Sequence, residues 1–317
     1  MKTKLLLATI AATCNFWMIA QESRTIIMNN GEELDVIYDN NNPDDFKDIT
    51  LEVLPLDVGE AIVGAGASYT LRASARVTEA ISGSVELRGL YKQQTPSIEN
   101  VSNEESGKKY WEILALGNYT VFSFANEGKY KVKLMKKGRF YSYVKLPHTA
   151  KNEFRLQFGT SYLNRSGGES YNADDQVRHG ATSLGFVSVL GGLNYKRSVN
   201  TKISGLKSGG ERLTITNIFL SKRTWSIYGR VGYTVHSTGD FFANTGVDGS
   251  YESVLADESG VDMNYMTLRI GASVRQYLWE DISISFLIEG GVYPGVKTEN
   301  DPRSFIPCAR VGVGYDL

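Results

Sequence analysis

From residue 61 onward, apolar and polar residues alternate over unusually long stretches. Between Ala61 and Val77 the odd positions hold Ala, Val, Tyr or Leu, whereas the even positions are mostly Gly, Ser, Thr and Arg. A two-residue period places alternate side chains on opposite faces of a β-strand. The same alternation recurs in residues 81–92, 224–237, 266–293 and 305–317. We therefore predict an all-β chain whose strands each have one apolar and one polar face.

The lengths of the strands and of their connections favour a membrane barrel over a soluble sandwich. Soluble strands average about five or six residues, whereas a tilted strand needs about nine to eleven to cross a bilayer. Several stretches here reach eleven residues or more. Short turns at 78–80, 196–198, 221–223 and 279–281 alternate with polar loops at 93–108, 164–180, 238–262 and 294–304. This asymmetry is typical of a transmembrane antiparallel β-barrel with periplasmic turns and extracellular loops.

We predict a barrel over residues 48–317 with about twelve strands. They are residues 48–57, 61–77, 81–92, 109–124, 152–163, 181–195, 199–206, 212–220, 224–237, 264–278, 281–293 and 305–317. Residues 128–147 are predicted to form a hairpin in the periplasm, because a lipid-facing strand so rich in lysine would be costly. If both arms of that hairpin enter the wall, the count is fourteen. A further alternative makes residues 48–147 an immunoglobulin-like or PKD-type periplasmic domain ahead of an eight-stranded barrel.

The N-terminus has the layout of a secretory signal peptide. Residues 1–20 begin with two lysines, continue with an apolar stretch and end at the small residue Ala20. This order predicts cleavage near Ala20 and export of the chain. A single membrane anchor and lipidation at Cys14 are the alternatives. Residues 21–47, which include the acidic and amide-rich run at 39–45, are predicted to be a polar lead-in.

Composition excludes several classes of function. The chain has 34 Lys+Arg against 35 Asp+Glu, which gives no bulk electrostatic reason to bind nucleic acid. Its two cysteines cannot build a disulfide scaffold or a cysteine zinc site, and we expect neither a metal nor a cofactor. His236 and Ser237 are adjacent and therefore point to opposite faces of a strand, which argues against a barrel hydrolase. The sequence predicts that the protein is not an enzyme.

Charged residues follow the polar faces of the predicted strands and form a candidate lumen ladder. Symmetric pairing about the first tight turn places Arg72 opposite Glu86, where the two side chains interact directly. Two interpretations remain open, namely a structural ladder inside a narrow barrel and a narrow passive channel with a weak anion preference. The ladder comprises Arg72, Arg76, Glu86, Arg88, Glu112, Arg155, Arg230, Arg269, Arg275, Glu289 and Arg310.

The predicted periplasmic hairpin is basic and aromatic. Such a projecting surface is a candidate docking site for a periplasmic or envelope-complex protein, while the barrel itself would contact outer-membrane lipids and lipopolysaccharide. The candidate docking residues are Lys129, Tyr130, Lys131, Lys133, Lys136, Lys137, Tyr141 and Tyr143.

A family resemblance supports the same interpretation. Residues Phe46 to Leu56 read FKDITLEVLPL and precede tyrosine-rich strands. In this the chain resembles the outer-membrane β-barrel proteins of Bacteroidetes-type bacteria, in an uncharacterised group. The resemblance implies a porin-like barrel in the cell outer membrane of a Gram-negative bacterium. Together with the residues above, it predicts a non-enzymatic structural or scaffolding barrel, or an accessory component of an envelope assembly.

Overall fold

The computed structural model describes residues 22–27, 31–61, 64–93, 110–135, 141–166, 169–172, 177–208, 211–213, 219–244, 251–254, 263–279, 282–296 and 306–316. The regular elements in these residues are all strands, so the all-β prediction is confirmed. The predicted signal peptide lies outside the described residues. The strands are β1 (Glu22–Ile27), β2 (Glu33–Asn40), β3 (Ile49–Ala61), β4 (Gly64–Arg76), β5 (Ile81–Gln93), β6 (Tyr110–Met135), β7 (Tyr141–Ser166), β8 (Glu169–Asn172), β9 (Val177–Ser208), β10 (Glu211–Leu213), β11 (Phe219–Asn244), β12 (Tyr251–Val254), β13 (Met263–Asn264), β14 (Met266–Tyr277), β15 (Ser283–Tyr293), β16 (Gly295–Val296) and β17 (Ile306–Asp316).

The chain divides into two compact units. Unit 1 contains residues 1–46, 125–151 and 198–222, and unit 2 contains residues 47–124, 152–197 and 223–317. Each of the long strands β6, β7, β9 and β11 contributes residues to both units.

Unit 2 is an antiparallel barrel. Ten of the described strands follow one another in the order β9, β7, β6, β5, β4, β3, β17, β15, β14 and β11, and an additional pairing between β9 and β11 closes the ring. Closure satisfies the backbone hydrogen-bonding groups that an open sheet would leave at its edges. Because β3, β4, β5 and β6 are ring strands, residues 48–147 do not form the separate periplasmic domain that was one alternative.

The wall has ten strands among the described residues rather than the predicted twelve, because residues 199–206 continue β9 and no described ring strand corresponds to the predicted strand 212–220. Strand β9 continues through the predicted turn at 196–198, and β11 continues through the predicted turn at 221–223. Both positions coincide with the boundary between the two units. The polar residues there end the alternation of the wall, but they do not end the strand. Residues 199–206 therefore belong to β9 in unit 1, and of the predicted strand 212–220 only the residues in β10 and at the start of β11 are described.

Other connections also differ from the sequence pattern. The turn at 78–80 is present, with the backbone N–H of Val77 donating to the carbonyl of Ile81 over 2.9 Å. The predicted loops 164–180 and 238–262, by contrast, contain paired strands. Strand β8 pairs with the start of β9, and β12 pairs with the end of β11. Hydrogen-bonded pairing thus continues beyond the segments in which apolar alternation is visible.

Unit 1 contains a small hydrophobic core of its own. Strand β2 pairs with residues 202–208 of β9 and with β1, so the predicted polar lead-in contains two strands. Its buried side chains pack against the parts of β7 and β9 in the same unit. The core residues are Leu34, Val36, Tyr38, Val144, Leu146, Ile203 and Leu206.

The acidic and amide-rich run at 39–45 is tied to the rest of unit 1 by hydrogen bonds. Asn41 Oδ1 accepts from the backbone N–H of Thr149 over 3.0 Å, and Asn200 Nδ2 donates to the carbonyl of Asp45 over 2.5 Å. Lys151 Nζ forms an ion pair with Asp44 Oδ1 at 2.5 Å. These bonds fix an irregular segment without requiring apolar side chains.

Candidate functional site

The outer face of unit 2 is apolar. Ile270 and Ile288 are each 59% exposed and Val231 is 57% exposed, although all three lie in the middle of strands. Among the described residues of unit 2, the exposed charged side chains are Lys47, Asp48 and Glu79, which lie ahead of β3 or in a tight turn. Soluble monomers rarely expose continuous apolar surface of this extent. We call this uncharged outer surface the apolar belt.

A row of aromatic rings follows one edge of the apolar belt across four neighbouring strands. The ring centroids of Phe122 and Phe154 are 6.3 Å apart, those of Phe154 and Tyr195 are 4.9 Å apart, and those of Tyr195 and Trp225 are 5.1 Å apart. Phe124 extends the row, with its centroid 5.5 Å from that of Phe122. Aromatic side chains in such rows are typical of the two interfaces of a membrane, where one end of the ring is apolar and the other is hydrated.

A second group of rings lies at the opposite edge. Trp111 contacts Tyr162 with centroids 4.8 Å apart, and Tyr233 contacts Tyr265 with centroids 6.2 Å apart. On β11, Tyr233 follows Trp225 by eight positions. At about 3.3 Å per residue and a tilt of about 40°, this spacing corresponds to roughly 20 Å along the barrel axis. The apolar band of outer-membrane barrels is about 25 Å tall, so the two rows bound a surface of similar height.

Inside the barrel, one end of the lumen ladder is a four-residue ionic cluster. Arg72 lies opposite Glu86 in the β4–β5 register, with Nη2 of Arg72 2.7 Å from Glu86 Oε2. Its Nη1 is 3.0 Å from Glu52 Oε2, and Arg275 Nη2 reaches the same oxygen over 3.2 Å. Strands β3 and β14 are separated by β17 and β15, so the bond between Arg275 and Glu52 spans part of the lumen. Two guanidinium groups and two carboxylates thus neutralise one another here.

A second ionic contact, between Arg269 and Glu112, spans the lumen. Arg269 Nη2 forms an ion pair with Glu112 Oε1, and the two side chains are 1% and 2% exposed. Strand β14 carries Arg269 and lies four steps from β6, which carries Glu112, in a ring of ten. The pair therefore joins nearly opposite parts of the wall. Removal of one partner from a buried ion pair leaves an uncompensated charge and is strongly destabilising.

Polar side chains surround this transverse pair. Tyr228 Oη donates to Glu289 Oε2 over 2.6 Å, and the Arg230 guanidinium lies 3.9 Å from the centre of the Tyr228 ring. Arg230 Nε also donates to Gln157 Oε1 over 3.1 Å. Because Arg230 and Arg269 are directly opposite in the β11–β14 register, nearby carboxylates offset a repulsion between like charges.

The remaining ladder residues are dispersed. Arg88 Nε donates to Ser68 Oγ over 3.4 Å, Arg76 pairs with Asp48 at 2.8 Å and Arg155 pairs with Glu153 at 2.5 Å on the same strand. For Arg310 only the backbone register is described, opposite Glu289.

Apolar residues also fill the lumen, and the sequence analysis missed them. Leu54, Tyr228 and Leu287 form one buried cluster. Strands β3 and β11 are four steps apart in the ring, so this cluster also extends between distant parts of the wall. Leu287 falls in the same two-residue phase as Ser285 and Glu289. The alternation of β15 therefore already indicated that the Leu287 side chain points into the lumen.

The candidate docking hairpin is the part of β6 and β7 that belongs to unit 1. Lys129 and Lys131 are exposed, whereas Tyr130 points the other way and stacks on His148 with centroids 4.1 Å apart. The predicted docking residue Tyr130 is therefore part of the interior packing of unit 1. The backbone of Lys133, Tyr141 and Tyr143 lies in these strands but their side chains are outside the description, as are Lys136 and Lys137 altogether.

Two negative findings apply to the described residues. They contain no helix that is long and apolar enough to cross a membrane. In this part of the chain, no group of three or more His, Cys, Asp or Glu side chains is placed to hold a metal ion. His236, the residue considered for hydrolase chemistry, is exposed.

Comparison with known proteins gives limited information. No protein-family model and no curated protein matches the chain. The crystal structure of Acinetobacter baumannii CarO2 is similar at 10% identity and a TM-score of 0.19, covering 86% of this chain and 100% of that one. The outer membrane channel DcaP of Acinetobacter baumannii is similar at 10% identity and a TM-score of 0.19, covering 92% and 99% respectively. At TM-scores this low, neither similarity supports a conclusion about this chain.

Proposed function

We propose that this chain is a non-enzymatic integral β-barrel of the cell outer membrane with a structural or scaffolding role in the envelope. The observation that carries the proposal is the uncharged apolar belt between two rows of aromatic rings. Lipid hydrocarbon is the environment in which such a surface is stable, and a closed ring is the β-structure that leaves no backbone group unpaired there. Outer-membrane lipids and lipopolysaccharide are its immediate partners.

We infer that the lumen is closed, which would distinguish this role from that of an open channel. The buried pair of Arg269 and Glu112 and the cluster around Tyr228 occupy the space that a permanent aqueous pore would need. An eight-stranded barrel has an interior just wide enough for side chains to fill, and a ten-stranded barrel is only slightly wider. These contacts favour a barrel whose lumen is closed over the alternative of a passive anion-preferring channel.

Two measurements test this proposal. The full chain should fractionate with the outer membrane and migrate differently on gels before and after heating, as folded barrels do. In planar bilayers the purified protein should be electrically silent. A soluble periplasmic location would refute the membrane assignment, and steady conductance by the unmodified protein would refute the closed lumen in favour of the channel.

The lysines of the hairpin support a second element of the proposal, a docking role toward an acidic periplasmic protein. The ring of His148 lies where a Cβ on Gly128 would stand, which makes these residues neighbours across the hairpin. Lys131 and Lys145 are both exposed, and each lies three residues from one member of this contact, on the two neighbouring strands. Like charges in such positions repel, and an anionic partner would relieve the repulsion.

Replacement of Lys129, Lys131 and Lys145 by serine tests this docking role. The triple variant should lose its salt-sensitive binding to a polyglutamate peptide, because the attraction is between charges and is screened by ions. Serine at the exposed Lys207, also in unit 1, is the matched control and should bind normally. Equal binding by the triple variant and the control would contradict the docking role.

A further inference from the structure

Arg269 has two carboxylates within reach, in different directions. Glu112 lies across the lumen on β6 and holds the guanidinium through Nη2. Glu289 lies on the neighbouring strand β15, where its register partner Gly271 is two residues from Arg269. Diagonal positions of this kind are about 7–8 Å apart and lie within reach of long side chains. One direction crosses the lumen, and the other follows the wall.

The guanidinium of Arg269 is incompletely satisfied in the crossing position. Its Nε and Nη1 are buried and have no hydrogen-bond partner among the described residues. A buried donor without an acceptor is costly, and more so when it belongs to a charged group. The crossing position therefore leaves Arg269 with donors that a second acceptor would stabilise.

Tyr293 provides a common contact for both positions. Its ring centre lies 4.6 Å from the Arg269 guanidinium, and it is on β15, the strand that also carries Glu289. A cation over an aromatic face is held without a fixed hydrogen-bond direction. Arg269 therefore needs to rotate about this contact, rather than leave it, to exchange one carboxylate for the other.

We propose that Arg269 is a two-position gate, which closes the lumen when paired with Glu112 and opens a path for small inorganic ions when paired with Glu289. The inference rests on the proposed function, because it takes a closed barrel as the resting state. It adds a latent conductance to that barrel. In the open position the side chain lies along the wall instead of across the lumen.

Charge at the gate sets which ions pass. Arg230 and Arg269 face Glu112 and Glu289, and Arg88 lies directly opposite Glu112 in the β5–β6 register. Loss of the Glu112 charge makes the gate more positive by one charge, which favours anions. Loss of the Arg269 charge makes the gate less positive by one charge, which shifts the preference towards cations.

Single-channel recording in planar bilayers, with potassium chloride as the only salt, tests the gate. Glu112→Gln should open repeatedly whereas the unmodified protein shows no openings, because loss of one member of a buried ion pair shifts the equilibrium between the closed and open positions by roughly 100-fold or more. The conductance of Glu112→Gln should prefer chloride. Arg269→Gln should also conduct but should prefer chloride less, so its reversal potential in a salt gradient should lie closer to the potassium potential than that of Glu112→Gln.

Two further variants separate the gate from a general loosening of the barrel. Glu289→Gln removes the acceptor of the open position and should stay silent. Glu153→Gln breaks the ion pair with Arg155, which lies along a single strand instead of across the lumen, and should also stay silent. Heat-modifiable migration identifies the variants that have folded. If Glu112→Gln does not fold, Glu112→Asp keeps the charge, shortens the reach and should open intermittently.

The outcomes are distinct from those that test the proposed function. Conductance by the unmodified protein would overturn the closed resting state. Silence of both the unmodified protein and a folded Glu112→Gln variant would overturn the gate and leave the scaffold role intact. The same reversal potential in Glu112→Gln and Arg269→Gln, or conduction by Glu153→Gln, would also overturn the gate.

Discussion

An arginine placed in the apolar belt measures directly whether that belt lies in lipid. Ile270 is 59% exposed and lies opposite Gly229. On β11, Gly229 is midway between Trp225 and Tyr233, which belong to the two aromatic rows. Ile270 is thus four residues from either edge, or about 10 Å along the axis at 3.3 Å per residue and a tilt of about 40°. That position corresponds to the midplane of the bilayer.

Ile270→Arg should lower the free energy of unfolding by about 2–4 kcal/mol, the cost of arginine at the midplane of an outer-membrane barrel. Leu278 is the matched control, because it is 48% exposed but directly follows the end of β14, where its backbone N–H donates to the Ile282 carbonyl. Leu278→Arg should cost about 0–1 kcal/mol, since arginine near the interface reaches water.

The assay is reversible denaturant unfolding of the two variants and the unmodified chain in lipid vesicles, followed by tryptophan fluorescence. The important quantity is the difference between Ile270→Arg and Leu278→Arg. Water on the outer face would make both substitutions nearly neutral, because surface changes away from special features alter stability by about 0.5 kcal/mol or less. Equal and small effects at the two positions would therefore refute the assignment of the belt to lipid.

Two further comparisons use matched pairs within the wall. Arg72→Ala should destabilise the barrel by about 3 kcal/mol in the same unfolding assay, because it removes a guanidinium shared by two buried carboxylates and leaves Glu52 with Arg275 alone, whereas Arg76→Ala should cost about 1 kcal/mol or less because its partner is 69% exposed. A Cβ on Gly291 would lie 1.9 Å from the Leu268 carbonyl oxygen, so Gly291→Ala should cost about 1–3 kcal/mol and slow the appearance of the heat-modifiable form. Gly191 has nothing within 4 Å of the same position, and Gly191→Ala should behave like the unmodified chain. Similar losses for both members of either pair would contradict the geometry.

Much of the wall was predictable because the alternation of side chains is a local property. The pairing of Arg72 with Glu86 follows from a short turn and a two-residue period, and both are readable from one stretch of sequence. The number of strands was not readable in the same way. At 196–198 a polar break resembles a turn, yet β9 continues through it, and from residue 202 onward β2 provides partners for its backbone. Whether such a break is a turn depends on distant residues.

The sequence predicts which side chains face the lumen, but it does not predict which of them contact each other. The phase of alternation identifies Arg269 and Glu112 as residues of the polar faces, and their identities supply the opposite charges. Which glutamate Arg269 meets depends on the order and stagger of the strands around the ring, and four steps of that ring separate the partners. The same applies to the hairpin, where Tyr130 belongs to the interior of unit 1 because of the neighbouring strand that carries His148.

The all-β character of the chain and the apolar and polar faces of each strand can be read from the residue order, because both properties arise from the two-residue period of the extended backbone. The three-dimensional arrangement was needed to show that ten of the described strands close the ring, that the lead-in contributes to a second unit with its own core, and that an ion pair crosses the lumen. These features depend on contacts between residues far apart in the chain, and no local pattern records which distant strand completes them.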